Sequence, residues 1–270
     1  MKGMNDIKGR LAVVTGASGG IGFCFSRELA KAGCSLLMIS NEKEALAERA
    51  SELRDACKTD IYELCLDLTA EDASSKVLQF LDERNLEADY LINNAGIFSF
   101  MPVTETSEPK MRRFIDLHVR AVTDLSRAFA RRFMVRGSGR ILNMSSMSCW
   151  MPMPGIAMYA STKAYIRVFS RALHYEVKDA GVTVTVACPG GIATDLFGLP
   201  EPLKKLAVRI GALDTPERFA RKALKKMLKG KKQYINGLLN RIAIVAIALT
   251  PTPVRMLVKR RMLDRNIVRP

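Results

Sequence analysis

The chain has 270 residues, of which 48% are apolar and 26% charged, and its net charge is +15 at neutral pH. That is the make-up of a soluble globular protein with a substantial core. Six scattered cysteines without a C-x-x-C pair, and only two histidines (His118 and His174), exclude a zinc-type site and suit reduced thiols in a cytoplasmic compartment.

The N-terminal stretch is polar and has no signal-peptide pattern. Leu11–Thr15 is an apolar run that reads as a buried strand. It opens into a glycine turn, Gly16 to Gly22, and then a helical stretch to about Lys31. Strand, glycine turn and helix is the context of a dinucleotide site. The glycines admit a pyrophosphate close to the backbone, and the helix N-terminus favours its negative charge.

Ser35–Ile39 reads as the second strand, and Glu42 to Cys57 as a helix. Ile61–Leu66 is a third strand ending at Asp67 and Leu68, followed by a helix from Thr69 to about Arg84. Asp89–Asn93 is a fourth strand, and a long helical region runs from about Glu108 to Val135. A fifth strand, Arg140–Ser145, precedes a helix that carries Tyr159 and Lys163 to about Ala180. Val182–Ala187 is the sixth strand, Thr215 to about Lys229 a capped helix, and Tyr234–Asn236 a last strand. Strands alternating with helices in this way imply a Rossmann-type α/β fold. Its parallel sheet of about seven strands would be doubly wound, with helices on both faces. Ligands of such sheets lie outside the carboxyl ends of the strands. The glycine turn, Asp67, Asn93–Gly96, Ser146, Pro189 and Gly190 all fall there.

Tyr159 and Lys163 are four residues apart, which on a helix puts both on one face. An ammonium beside a phenol is expected to favour the phenolate and lower its pKa, which suits general acid–base chemistry. Ser146 precedes a turn and is placed to hydrogen-bond the same substrate oxygen.

With these residues in view, the chain resembles the short-chain dehydrogenase/reductase family over about residues 8–195. The glycine pattern after Thr15, the run Asn93-Asn94-Ala95-Gly96, Ser146 thirteen residues before Tyr159, the Tyr159–Lys163 pair and the Pro189-Gly190-x-Ile192-x-Thr194 segment carry the likeness. The resemblance implies an NAD(P)(H)-dependent oxidoreductase that interconverts a carbonyl and its alcohol. Tyr159 would be the general acid or base, Lys163 would tune it and bind the nicotinamide ribose, and Ser146 would polarise the substrate oxygen. The implied cofactor set is Gly16, Ser18, Gly20, Ile21, Gly22, Ser40, Asn41, Asp67, Leu68, Asn93, Ala95, Gly96, Tyr159, Lys163, Pro189, Gly190, Ile192 and Thr194. In this set Asp67 and Leu68 meet the adenine, Asn93 the adenosine-side ribose region, and Ile192 and Thr194 the carboxamide. One position departs from the pattern. His118 stands where the family places an asparagine that kinks the helix and supports a proton relay. Either the relay is rebuilt around His118 or activity is reduced. A non-catalytic nucleotide-binding or membrane-associated scaffold of the same fold is the alternative reading.

The second strand ends in Ser40-Asn41-Glu42-Lys43, without the acidic residue that accepts the ribose 2′-hydroxyl of NAD. Ser40 leaves room for a 2′-phosphate, so NADP is favoured, with NAD the alternative.

Residues 1–237 read as one domain, with a substrate lid at about 196–212. The Leu and Phe content of that lid, and the Met- and Trp-containing stretch 150–158, suggest a hydrophobic ketone or aldehyde. A homodimer or homotetramer is expected by the same resemblance. Residues 238–270 form a basic, partly apolar extension. Residues 201–270 hold 18 Lys and Arg against 4 Asp and Glu, a balance of +14, whereas residues 1–200 balance at +1. An apolar, basic segment suits an anionic membrane surface or a dimer contact. No nucleic-acid motif accompanies it, and no run of about 18 apolar residues marks a transmembrane helix. The expected location is cytoplasmic or peripheral to a membrane.

Overall fold

A computed structural model of the chain describes residues 7–192 and 213–263. The expected lid at 196–212, and Thr194, lie outside the described residues.

Seven parallel strands form one sheet: β1 (Leu11–Thr15), β2 (Ser35–Ser40), β3 (Ile61–Cys65), β4 (Tyr90–Asn93), β5 (Gly139–Met144), β6 (Val182–Cys188) and β7 (Gln233–Ile235). Their spatial order is β3-β2-β1-β4-β5-β6-β7, as a doubly wound sheet requires. The order reverses between β1 and β4, where Val13 pairs with Leu91. Helices α1 (Gly20–Lys31), α2 (Lys43–Ala56), α3 (Ala73–Asp82), α4 (Glu108–Ile115), α5 (Ala121–Arg136), α6 (Ala157–Val177) and α7 (Pro216–Leu228) cross between the strands.

Alternate residues of each strand feed two separate cores. Ala12, Val14, Leu36 and Met38 pack under α1, α2 and α7 with Phe25, Leu29, Leu46 and Phe219. Leu11, Val13, Leu37 and Ile39 pack on the other face with Val77, Leu125, Phe129 and Leu173. Helix α7 starts on the Thr215 hydroxyl, which accepts the Arg218 amide at 3.2 Å. The Arg221–Glu28 ion pair at 2.8 Å ties α7 to α1, and Arg221 holds the Glu28 carboxyl below its usual range.

One helix starts later than the sequence reading. The Asp67 carboxylate accepts both the amide and the hydroxyl of Thr69, at 2.9 and 2.8 Å. This local turn competes with the helix, so α3 begins at Ala73 and not at Thr69. The long region from 108 to 135 is helical throughout, as expected. A π turn, Asp116–Arg120, separates α4 from α5 and turns His118 inward. The C-terminal extension is helical, as α8 (Leu238–Ala248), α9 (Thr252–Val258) and a closing π turn (Lys259–Leu263). No single helix among the described residues is long and apolar enough to cross a membrane.

Candidate active site

A cavity of about 600 Å³ opens at the carboxyl ends of the strands, across the β1/β4 reversal. Its floor is the glycine turn. Gly16 and Gly20 have left-handed φ values of +63° and +54°, which favour glycine. A Cβ on Gly16 would lie 2.9 Å from the Cα of Ala95, and one on Gly22 would collide with the Gly16 carbonyl oxygen. Only bare backbone lets these three segments approach so closely. Gly22 itself sits behind the turn, outside the cavity lining, and its contribution is this packing. Thr15 locks the arrangement, because its hydroxyl accepts the amides of Asn94 and Ala95 at 2.9 and 3.0 Å. The Asn94 amide group donates to the carbonyls of Thr15 and Gly16 at 3.0 and 3.3 Å.

Ser18, Ser40, Asn41, Asp67 and Leu68 line one end of the cavity. There the Ser40 hydroxyl donates to Ser18 at 2.9 Å, and Ser18 donates to the Glu42 carboxylate at 2.7 Å. Arg113, from α4, lines the same end and lies 3.7 Å from Asp67. Glu42, Asn94 and Arg113 were not expected at the site. Asn94 was legible within the Asn93–Gly96 run. Arg113 carries no local sequence signal, since only tertiary packing brings it beside Asp67.

Ile21, Ala95, Gly96, Tyr159, Lys163 and Pro189 continue the lining toward the other end. Asn93 does not join them. Its side chain is buried in a polar network, donating to Asn143 at 2.9 Å and Ser126 at 3.2 Å. The strand alternation that aims Asn93 into the core is what aims Asn94 at the turn. Gly190 also lies outside the lining. Its amide donates to the Asn236 side chain at 2.7 Å, and its face is closed by the side chain of Asn240. Ile192 is buried and bridges to Asp214.

Tyr159 sits in the first turn of α6, packed edge-on against Phe98 with ring centroids 5.0 Å apart. Lys163 follows one turn later, with Nζ 5.7 Å from the Tyr159 ring centre. Burial pushes the Tyr159 phenol above its usual pKa, and a hydrogen bond with Ser146 only partly opposes this. Burial also pulls the Lys163 ammonium down to about 8. This corrects the expected direction. The lysine does not lower the phenol here, because both groups are removed from water and each disfavours its charged form. Lys163 Nζ instead donates to the Met144 carbonyl at 3.0 Å.

The neighbouring serines separate cleanly. Ser145 Oγ donates to the Lys163 carbonyl at 2.7 Å and so ties β5 to α6. Ser146 caps the 3-10 turn Met147–Trp150 by accepting the Ser148 amide at 3.1 Å, and it keeps its contact with Tyr159. His118 is fully buried beside them. Its Nε2 accepts the Ile97 amide at 3.0 Å, and its Nδ1 lies 2.9 Å from Thr162 Oγ1. Burial and the nearby Lys163 charge hold its pKa well below 6.5, so the ring is neutral. Among the described residues no cluster suits a metal ion.

The short chain dehydrogenase family profile matches residues 10–201. Human very-long-chain 3-oxoacyl-CoA reductase is 31% identical over 237 residues, covering 86% of this chain and 72% of that protein. Among solved structures, the short-chain dehydrogenase from Sphingobium yanoikuyae in complex with NADPH superposes with a TM-score of 0.77 at 25% identity. That match covers 94% of this chain and 96% of the other. The bulky-bulky ketone specific alcohol dehydrogenase from Comamonas testosteroni gives a TM-score of 0.75 at 26% identity, over 90% and 95% of the two chains. With the profile covering well over half of its length, this chain belongs to the short chain dehydrogenase family of oxidoreductases.

Proposed function

We propose that the protein is an NADP(H)-dependent reductase of a hydrophobic carbonyl, with long-chain 3-oxoacyl thioesters as the first substrate class to test. The observation that carries this reading is that Tyr159, in hydrogen-bond contact with Ser146, and Lys163 line one end of a cavity floored by a glycine turn. The curated relatives named as 3-oxoacyl-CoA reductases support the thioester. So does Phe98, packed edge-on against Tyr159, with Phe100 and Met101 partly exposed just after it in the chain.

The glycine turn and the start of α1 would hold the pyrophosphate of the dinucleotide. Ser40, Asn41 and Arg113 would meet the 2′-phosphate end, Asp67 and Leu68 the adenine, and Lys163 the nicotinamide ribose. NADPH-bound neighbours favour the phosphorylated cofactor, as does the absence of an acid at Ser40. NADPH supplies the hydride when bound. The chain's own work is proton and charge management. Ser146 fixes the carbonyl oxygen by hydrogen bonding. Tyr159, kept protonated by burial, gives its proton to that oxygen as negative charge develops there. The Met144 carbonyl holds the Lys163 ammonium in place beneath the phenol. A homodimer or homotetramer would use the outer faces of α5 and α6, where Val135 and Val168 are exposed.

Oxidation of NADPH followed with 3-oxoacyl-CoA substrates of increasing chain length tests the proposal. Turnover should rise with acyl length. Tyr159→Phe should lower it by about 10²–10⁴-fold while leaving NADPH binding in place. Undiminished turnover in Tyr159→Phe, or turnover confined to small polar carbonyls, would overturn it.

A further inference from the structure

The outer face of α8 breaks the rule that α7 keeps. Helix α7 buries Phe219, Ala223, Leu224 and Met227 and turns its lysines and arginines to water. Helix α8 has the sequence LLNRIAIVAIA, apolar nearly all round. It leaves Leu239, Ile242, Val245 and Leu249 exposed at 69%, 59%, 59% and 76% of their surface. Spacings of three and four residues put Leu239, Ile242, Val245 and Leu249 on one side. A surface helix normally turns its polar side outward, and an all-apolar one is buried in protein or lipid. Helix α9 continues the pattern with exposed Val254, Met256 and Leu257.

The charge of this segment selects the partner. Residues 238–263 contain Arg241, Arg255, Lys259, Arg260 and Arg261 and no acidic residue. A second copy docking here would set this basic segment against its own like, which opposes association. Nucleic acid would satisfy the charge and leave the apolar stripe in water. An anionic lipid surface satisfies both.

The dimensions decide how it lies. Helix α8 has 11 residues and α9 has 7, and the two meet at a 99° bend. At about 1.5 Å per residue neither reaches across a hydrocarbon core of about 30 Å. We propose that α8 and α9 lie in the interface of an anionic membrane, apolar face down, with the basic residues at headgroup level. The Asn240 side chain donates to the Asn236 carbonyl at 2.8 Å, and Asn236 holds Gly190, so α8 is fastened to the loop after β6. That loop carries Pro189, which lines the active-site cavity. Docking therefore brings the catalytic end of the sheet to the lipid. This inference stands apart from the choice of substrate.

Co-sedimentation of the full chain with phosphatidylcholine vesicles, with and without phosphatidylserine, tests it. Wild type should pellet with the phosphatidylserine vesicles, less so at high salt, and poorly with phosphatidylcholine alone. Ile242→Gln with Leu249→Gln should weaken that binding at least about tenfold, and Arg260→Gln with Arg261→Gln should remove most of the salt dependence. NADPH binding should be unchanged in both variants, which shows that they are folded. Wild type that ignores the anionic vesicles, or apolar variants that bind as wild type does, would overturn the proposal. So would a wild-type dimer that the apolar variants dissociate in the absence of vesicle binding, because the face would then belong to a second copy.

Discussion

His118 Nδ1 and Thr162 Oγ1 lie 2.9 Å apart, joining the π turn to α6. Because Nε2 already accepts the Ile97 amide, the ring proton sits on Nδ1 and is donated to Thr162. Thr162 in turn donates to the Tyr159 carbonyl at 3.0 Å. The imidazole is thus a neutral brace under the turn that carries Tyr159, with both nitrogens occupied.

A braced ring should be silent to pH. The kcat/KM profile for reduction is expected to show no limb near 6.5, the ordinary histidine value. His118→Ala should destabilise the protein by about 1–3 kcal/mol, since the Ile97 amide loses its acceptor. It should lower kcat by loosening Tyr159. A limb near 6.5 that vanishes in His118→Asn would mean instead that the ring titrates during turnover.

Lys163 makes stability depend on pH in a definite direction. Its folded pKa of about 8 lies below the ordinary 10.5. Between these values the unfolded chain binds more protons, so stability rises with pH through this window. The gain is complete above 10.5 and is lost as pH falls through 8. Buried thiols and phenols, raised from 9.0 and 10.0 to about 12, act with the opposite sign from about pH 9 upward. The difference in Tm between wild type and Lys163→Met, measured without cofactor, isolates the effect. It should grow in favour of wild type from pH 8 upward.

Thr15→Val keeps the shape of the side chain and removes an acceptor for two amides. Each amide left unpaired costs about 1–3 kcal/mol. Urea denaturation should show the loss, and NADPH affinity should fall with it, because the Gly16 turn rests on the same contacts. A variant as stable as wild type would mean that water replaces the hydroxyl.

Arg113 and Asp67 are both close to half exposed. Their ion pair should therefore add less than about 0.5 kcal/mol to stability. Arg113→Ala is expected to leave Tm almost unchanged and to weaken NADPH binding while sparing NADH. Ser40→Asp should push the same preference further toward NADH. Equal losses for both cofactors in Arg113→Ala would assign the arginine to adenine packing.

The sheet was readable because buried strands leave unmistakable apolar runs, and the helices between them leave their caps, such as Thr215. The glycine turn and the Ser146, Tyr159 and Lys163 positions were singled out by the family resemblance that several local motifs carry together. What escaped depended on contacts between distant segments. Arg113 reaches the cavity only through helix packing, and the π turn at His118 exists because Ile97 and Thr162 hold the ring inward. The split between Asn93 and Asn94 turned on which face of one strand end points at the Gly16 turn. The direction of the Tyr159 shift could not be read either, because it follows from burial, which no spacing reports.

The reversal of strand order between β1 and β4 divides labour along the chain. On the proposed reading, what would grip the adenosine end lies before the reversal, from Gly16 to Leu68, except for Arg113. What would handle the reacting oxygen comes after it, from Ser146 to Lys163. The coenzyme grip can therefore be rewritten almost wholly within the first quarter of the chain, leaving the reaction centre untouched. The molecule is a coupling of two exchangeable parts along a single seam.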